Sequence, residues 1–267
     1  MCLTSKLAKT TNFRAFKLNN SMTYCLGIKL KEGLVAIADT RLTSGSETTT
    51  GKKMYVHKHG NQFLFIMTSG LRSVRDKAIT YFKEEIEENG DKHNKMYKAV
   101  NAFAAQLRRV ASEDKDALAA SGLRFNLTAI VGGQLQNDEE HKLFLLYPEG
   151  NWVEIGEGAP FVIIGNSGYG KPILDRTITP ETPMKIALKT GFLSFDSTRV
   201  SANDVDFPID VVLYKKDSYL PVEHRFEKED VANVSQNWGK ALRESIKNMP
   251  EGWMDETLSK LKKVSIP

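Results

Sequence analysis

A threonine directly after a methionine is the residue of this chain with the most distinctive chemistry. Thr23 follows Met22 and precedes the strand-like run 24–30. As the first residue of a mature chain, Thr23 would carry a hydroxyl that can attack a carbonyl carbon and a free α-amine that can take the hydroxyl proton. An α-amine has an ordinary pKa of about 7.7–8.0, so much of it is unprotonated near neutral pH. This pair of groups is typical of an N-terminal nucleophile, on condition that the amine is free.

The segment before Thr23 decides whether that condition holds. Residues 1–22 contain no acidic residue and no apolar core long enough for a secretory signal. Three explanations are open: translation that starts at Met22, a cleaved propeptide, or a retained arm. We favour a start at Met22, because a methionine before threonine is readily removed. We therefore divide the chain into a leader, 1–22, and one domain, 23–267, with a helical C-terminal tail.

Composition excludes several classes of function. The 267 residues are 41% hydrophobic and 26% charged, which is ordinary for a globular domain. A net charge of +4 with scattered lysines predicts no nucleic-acid partner, and no apolar run approaches a membrane span. The two cysteines, Cys2 and Cys25, fit a reducing cytoplasm. The five histidines lack metal-ligand spacing, and 165–170 lacks the Gly-Lys-Ser/Thr ending of a phosphate loop, so we expect no metal and no cofactor.

Blocks of strands alternate with pairs of helices along the chain. Strands are predicted over 23–30, 34–39, 53–57, 62–67, 125–133, 142–147, 152–155, 160–165, 207–214 and 218–222, and helices over 74–88, 95–111, 171–176, 183–198, 228–248 and 255–263. The segment 40–51, rich in Ser, Thr and Gly, is predicted to be a loop. This order predicts two stacked sheets with one helix pair on each outer face.

Seven short motifs carry a resemblance to a known family. They are MTYCLGI (22–28), AIADTR (36–41), KKM (52–54), SGL (69–71), GNSGYG (165–170), SFDST (194–198) and PID (208–210). With these motifs the chain resembles proteasome β-type subunits, and more narrowly the bacterial ancestral β-subunit-like (Anbu) proteins. The resemblance implies an α+β fold of the N-terminal-nucleophile (Ntn) hydrolase type, a four-layer αββα sandwich. It also implies a homo-oligomer, either a ring or a helical stack.

The resemblance also implies a set of catalytic residues. Thr23 matches the nucleophile that opens the first strand, Asp39 the acid that closes the second, and Lys53 the lysine before the third. The neighbouring Lys52 leaves a register shift of one residue open, and we prefer Lys53 because it precedes the apolar Met54. A charged lysine beside Thr23 would favour the deprotonated forms of its amine and hydroxyl. A buried ammonium needs a partner, which Asp39 can supply.

Further residues are expected around the nucleophile. Ser167 and Asp196 match the serine and acid that support its amine, although 199–206 departs from the family's glycine-containing pattern. The backbone N–H of Gly70 is our candidate for stabilising the oxyanion of the tetrahedral intermediate. The substrate strand is expected beside Thr43, with a side-chain pocket near Leu42, Thr68 and Arg72.

Each of these residues also has a simpler interpretation, and the function has alternatives. Asp39 could cap the turn that follows it, Lys53 could be a solvated lysine, and Gly70 could be only a turn residue. Our first hypothesis is a threonine peptidase or amide hydrolase that acts on a peptide or isopeptide. The alternative is a catalytically silent scaffold subunit that retains its leader. A less favoured one uses Cys2 as nucleophile, but 3–12 does not have the pattern of the strand that this requires.

Overall fold

The computed structural model describes residues 23–44, 47–156 and 158–261. The strands are β1 (Tyr24–Lys29), β2 (Gly33–Asp39), β3 (Arg41–Ser44), β4 (Glu47–Thr50), β5 (Met54–His59), β6 (Gln62–Gly70), β7 (Leu127–Gln134), β8 (Lys142–Leu146), β9 (Trp152–Glu154), β10 (Phe161–Gly165), β11 (Ile209–Lys215) and β12 (Val222–Phe226). The α-helices are α1 (Arg72–Asn89), α2 (Met96–Ala120), α3 (Lys171–Thr177), α4 (Met184–Ser201), α5 (Ala232–Lys247) and α6 (Asp255–Leu261).

Two antiparallel sheets form the centre of the fold. The first sheet has the strand order β10-β1-β2-β11-β12 and the second has the order β5-β6-β7-β8-β9. In the first sheet β1 pairs with β10, with Tyr24 opposite Gly165, and in the second sheet β6 pairs with β7, with Gly70 opposite Leu127. The short strands β3 and β4 pair with each other as a separate hairpin.

Three apolar clusters hold four layers together. One cluster lies between the two sheets, a second joins the first sheet to α3 and α4, and a third joins the second sheet to α1 and α2. Strand β1 is buried on both faces, since Leu26 and Ile28 pack toward α4 while Cys25 packs toward the other sheet. Small residues on the inner face let the sheets approach closely: a Cβ on Gly27 would lie 3.0 Å from Ile130. The predicted α+β class and αββα layering are confirmed.

Three details of the sequence-based prediction are wrong. The last strand is β12 at Val222–Phe226 and not at 218–222. Part of the expected loop 40–51 is the β3–β4 hairpin, in which the β-branched run of threonines in β4 pairs with β3. Helix α2 continues to Ala120, beyond the predicted end at 111, although its last two turns are mostly exposed. Ion pairs support this extension, because Lys77 on α1 lies 2.7 Å from Glu113 and 2.8 Å from Asp114.

Among residues 23–261, apart from the short gaps, no helix has both the length and the apolar character needed to cross a bilayer.

Candidate active site

Thr23 lies immediately before β1, where two chain segments meet closely. Its backbone carbonyl accepts a 2.8 Å hydrogen bond from the N–H of Asn166, and the residue is 5% exposed. Gly165, which ends β10, has φ +92, and a Cβ there would lie 2.0 Å from the Thr23 carbonyl oxygen. Only glycine fits this conformation and this gap without strain. Gly165 therefore fixes how closely Thr23 can lie against the 165–170 loop.

A buried ion pair lies beside the start of β1. The Lys53 ammonium is 2.8 Å from each carboxylate oxygen of Asp39, and the two side chains are 4% and 0% exposed. The Oδ1 atom of Asp39 also accepts a 2.8 Å hydrogen bond from the backbone N–H of Tyr24. One oxygen therefore binds both the lysine and the peptide group that follows Thr23. The ammonium nitrogen lies within roughly 6 Å of the Tyr24 nitrogen, because each is one hydrogen-bond length from that oxygen.

The electrostatics of this pair come from opposing effects. Burial raises the pKa of Asp39 to about 6, while the Lys53 charge, its hydrogen bonds and the N–H groups of Tyr24 and Arg41 act in the opposite direction. Asp39 is therefore a carboxylate at neutral pH. Removal of one member of a buried pair leaves an uncompensated charge, which costs about 3–5 kcal/mol. The arrangement keeps a positive charge next to Thr23 in a site with little water.

The structure distinguishes the two neighbouring lysines. Lys53 pairs with Asp39, whereas Lys52 is exposed and its Nζ lies 2.9 Å from Glu223. The carbonyl oxygen of Lys52 accepts a hydrogen bond from Nη2 of Arg75 on α1. Arg75 therefore fixes the backbone immediately before Lys53. Sequence reasoning missed this residue, because its partner is a main-chain carbonyl and leaves no pattern of side-chain types.

Cys25 lies near this pair but has a different character. Its Sγ is 3.9 Å from the carbonyl oxygen of Thr68, and the residue is fully buried between the sheets. Burial, and secondarily the negative charge of Asp39, raise the pKa of the Cys25 thiol. The group is a neutral thiol at physiological pH and contributes packing.

The two residues predicted to support the amine are placed differently. Ser167 follows Asn166 in the loop that hydrogen-bonds to Thr23, so it lies near Thr23. Asp196 on α4 is buried, and its Oδ1 accepts 2.7 Å hydrogen bonds from Nη2 of Arg199 and from the hydroxyl of Ser235 on α5. Within the described residues, no hydrogen bond joins Asp196 to Thr23 or Ser167. The contact of Asp196 with Ser235 connects α4 to α5.

Gly70 ends β6 in a conformation that favours glycine. Its φ is +139, and a Cβ would lie 2.2 Å from the carbonyl oxygen of Asn126. The residue is exposed, while Ser69 before it is buried. A side chain here would displace the neighbouring strand. The backbone conformation and this close contact therefore require glycine at position 70.

The residues predicted to bind substrate lie on three elements. Leu42 and Thr43 lie on β3, and Leu42 is half-buried against Gly51. Thr68 is buried on the helix-facing side of β6, because strand alternation puts it on the same face as Ile66. Arg72 opens α1 and is exposed, with its Nε 3.3 Å from Asp76. The side chain of Thr43 lies outside what the structure describes.

In the described part of the chain, no three His, Cys, Asp or Glu side chains are grouped in a way that could hold a metal ion.

Comparison with known proteins gives the family. The chain matches the proteasome subunit family model over residues 20–205. The chain belongs to the proteasome subunit family. Several solved Anbu structures resemble it closely, and they cover 86% of this chain and 98% of their own. They are an Anbu mutant from Hyphomicrobium sp. strain MC1 at 31% identity and TM-score 0.79, Anbu from Yersinia bercovieri at 26% and 0.79, and the helical assembly of the Anbu complex from Pseudomonas aeruginosa at 30% and 0.81. No curated protein matches the chain.

The Anbu likeness confirms the family that the sequence motifs indicate. The candidate site therefore belongs to a proteasome subunit with the Ntn fold. In this fold the Asp39–Lys53 pair lies beside Thr23, the predicted nucleophile.

Proposed function

We propose that this proteasome-family chain is a threonine-type amide hydrolase whose mature form begins at Thr23. The observation that carries the proposal is the shared oxygen of Asp39, which binds the Lys53 ammonium and the Tyr24 N–H. This contact brings a buried positive charge next to the residue that has the hydroxyl and the potential amine.

The proposed reaction begins with attack on a peptide or isopeptide carbonyl. The Thr23 oxygen forms a bond to the carbonyl carbon, and the hydroxyl proton moves to the α-amine. Lys53 favours this step because its charge stabilises the developing alkoxide, and Asp39 holds the lysine in place. The Gly70 N–H is the proposed donor to the oxyanion. Collapse of the intermediate breaks the C–N bond, and the leaving amine takes the proton from the ammonium.

The second half of the reaction releases the enzyme. Water attacks the ester on Thr23 and loses a proton to the amine, and the Thr23 oxygen leaves as the hydroxyl when the carboxylic acid product is expelled. Leu42, Thr43, Thr68 and Arg72 are the proposed substrate contacts, and Ser167 supports the amine. Asp196 has a less direct role, because its hydrogen bonds go to Arg199 and Ser235.

The experiment is hydrolysis of a fluorogenic peptide library by protein whose intact mass is known. We expect chains that begin at Thr23 to cleave peptides and Thr23→Ala chains with the same start to be inactive. Thr23→Ser is the matched control, since it keeps the hydroxyl and the amine and should keep activity. Full activity of Thr23→Ala would rule out the mechanism. No activity in any chain that begins at Thr23 would favour the scaffold alternative.

We also propose that copies of the chain associate through the C-terminal helices. Helix α5 carries an apolar row at i, i+4 spacing, Val234, Trp238, Leu242 and Ile246, and within the described residues it has no fully buried side chain. Leu242 is 42% exposed and Ile246 is 71% exposed. An apolar row in water favours association. The helical assembly of the Pseudomonas aeruginosa relative supports a second copy as the partner.

A further inference from the structure

A cavity of about 780 Å³ lies at the opposite end of β1 from Thr23. Strand β1 leads from Thr23 to Lys29, and six extended residues span about 20 Å, so this cavity is separate from the candidate active site. Its walls come from the β1–β2 turn, the start of β8, the end of β9 and the turn between β11 and β12. The volume falls in the range of small-molecule sites, roughly 300–1,000 Å³.

Lysines from separate parts of the chain meet in this cavity. Lys29 and Lys142 each bridge the same two carboxylates: Lys29 lies 3.0 Å from Glu140 and 3.8 Å from Glu154, and Lys142 lies 3.1 Å and 2.9 Å from them. These four charges balance one another. Lys29 is the most buried of the four, at 14% exposed.

Two further lysines in the cavity lining add positive charge. Lys31 is exposed and pairs at 2.8 Å with Glu181, which does not line the cavity. Lys216 is exposed and makes no ion pair with any residue in the described ranges. The residues that line the cavity therefore have a positive surplus, which the exposed ammonium groups of Lys31 and Lys216 carry, and Glu181 partly offsets the charge of Lys31.

His141 supplies a second, independent observation. It lines the cavity, is 2% exposed, and has Nε2 2.7 Å from the carbonyl oxygen of Leu30. A carbonyl only accepts, so Nε2 carries the hydrogen and neutral His141 has a bare Nδ1. This Nδ1 is buried and has no hydrogen-bond partner among the described residues. A buried polar atom without a partner is uncommon and calls for an explanation.

We propose that this cavity binds the phosphate group of a small molecule and that His141 takes up a proton on Nδ1 when it binds. The protonated Nδ1 then donates to a phosphate oxygen, and Lys31 and Lys216 supply opposite charge. A phosphate carries about −1.5 to −2 charge and three acceptor oxygens near neutral pH, so it can satisfy all three groups together. A carboxylate has one charge and two oxygens, which makes it the poorer match.

The charges around His141 explain the coupling to a proton. Lys29 and Lys31 approach from the β1–β2 turn, Glu140 and Lys142 from β8, Glu154 from β9, and Lys216 from the β11–β12 turn. Burial lowers the pKa of His141, the Leu30 hydrogen bond and the charge of Glu140 act in the opposite direction, and the charges of Lys29 and Lys216 lower the pKa further. A bound phosphate offsets these lysines and accepts from Nδ1, and both effects favour the protonated ring.

Calorimetric titration of the full chain with inorganic pyrophosphate tests the proposal. We expect saturable binding that the Lys31→Gln/Lys216→Gln variant weakens by at least about tenfold, as expected for losing charge-assisted hydrogen bonds. Lys215→Gln is the matched control, because it removes the same charge next to Lys216 from a residue that does not line the cavity, and we expect a change within about twofold. Absence of binding at millimolar pyrophosphate, or an equal loss in Lys215→Gln, would overturn the proposal.

Proton uptake by His141 on binding is tested by repeating the titration in two buffers of different ionisation enthalpy. We expect net proton uptake in the wild type beyond that of pyrophosphate itself, and its loss in His141→Gln, whose amide can still donate to Leu30. Uptake that is unchanged in His141→Gln would overturn the role of His141. If that variant does not fold, the wild-type titration still decides. Proton uptake beyond that of pyrophosphate itself supports the role of His141, and its absence overturns that role. Malonate, a dicarboxylate, is expected to bind more weakly, and equal affinity would overturn the assignment to phosphate.

Discussion

The backbone N–H of Tyr24 and the side chain of Asp39 are joined by a 2.8 Å hydrogen bond across 15 residues of sequence. The bond fixes the end of β2 against the start of β1. Because the same carboxylate binds Lys53 through both of its oxygens, the position of the lysine relative to Thr23 depends on it.

Replacement of Lys53 by methionine should remove activity and destabilise the fold. The variant keeps the side-chain volume but leaves Asp39 buried without a partner, so we expect a cost of about 3–5 kcal/mol in the free energy of unfolding and a loss of about 10²-fold or more in kcat. Lys52→Met is the matched control and should change neither greatly. Urea unfolding and peptide hydrolysis measure the two effects.

The double variant Asp39→Asn/Lys53→Met separates stability from catalysis. Replacing both charges should restore much of the lost stability, because no unpaired charge is left. Activity should stay lost, since the positive charge beside Thr23 is absent. Recovery of activity in the double variant would contradict a catalytic role for Lys53.

The pKa of Asp39 predicts a pH dependence with a defined sign. Its folded-state pKa of about 6 is above its ordinary value of 3.8, so its contribution to folding is fully present below about pH 4 and is lost as the pH rises through 6. Activity has the opposite dependence and should fall as the pH drops through 6, because protonation removes the Lys53 counter-charge. Carbon-13 NMR of the Asp39 carboxyl should give a midpoint near 6, and a midpoint below 4 would contradict this.

Arg75 is expected to act as a positioning residue. Arg75→Gln removes the contact with the Lys52 carbonyl, so Lys53 should be held less well, and we expect kcat to fall about tenfold with little change in KM. Arg72→Gln lies three residues away in the proposed substrate pocket and should raise KM instead. Steady-state kinetics of the two variants on one peptide distinguish them, and a KM effect alone in Arg75→Gln would contradict the positioning role.

Gly165 offers a steric test with a control in the same loop. Gly165→Ala puts a Cβ 2.0 Å from the Thr23 carbonyl oxygen in a strained conformation, so we expect a fall in Tm and a large loss of kcat. Gly168→Ala adds the same methyl group where nothing lies within 4 Å, and it should be tolerated. Thermal unfolding and hydrolysis assays of both variants are the measurements. Equal effects in the two would show that closeness to Thr23 does not matter.

Association through α5 can be tested on the apolar row. Leu242→Glu/Ile246→Glu puts charges in the proposed contact, and we expect a shift toward a single-chain mass in light scattering. Gln236→Glu is the control, because it adds a charge at an exposed position outside the row, and it should leave the mass unchanged. A single-chain mass for the wild type at micromolar concentration would contradict the proposal.

Sequence patterns predicted the layers well because each depends on short-range periodicity. Helix α1 and strands β1 and β2 follow apolar spacing. The apolar residue after Lys53 favoured Lys53 over Lys52 as the site lysine. The β3–β4 hairpin was missed, since its threonines serve equally well in loops. The partners of Asp196 and the Arg75 contact were not predictable, because they join distant elements and one of them involves a main-chain oxygen.

The most direct test of the central claim is the intact mass of the catalytically active species. We expect the mass of active protein to correspond to a chain that begins at Thr23, with activity rising in proportion to that species when chains of different starts are compared. A homogeneous protein that still has residue 22 bonded to Thr23 and hydrolyses peptides at the full rate would contradict the account, because the proposed base would then be an amide.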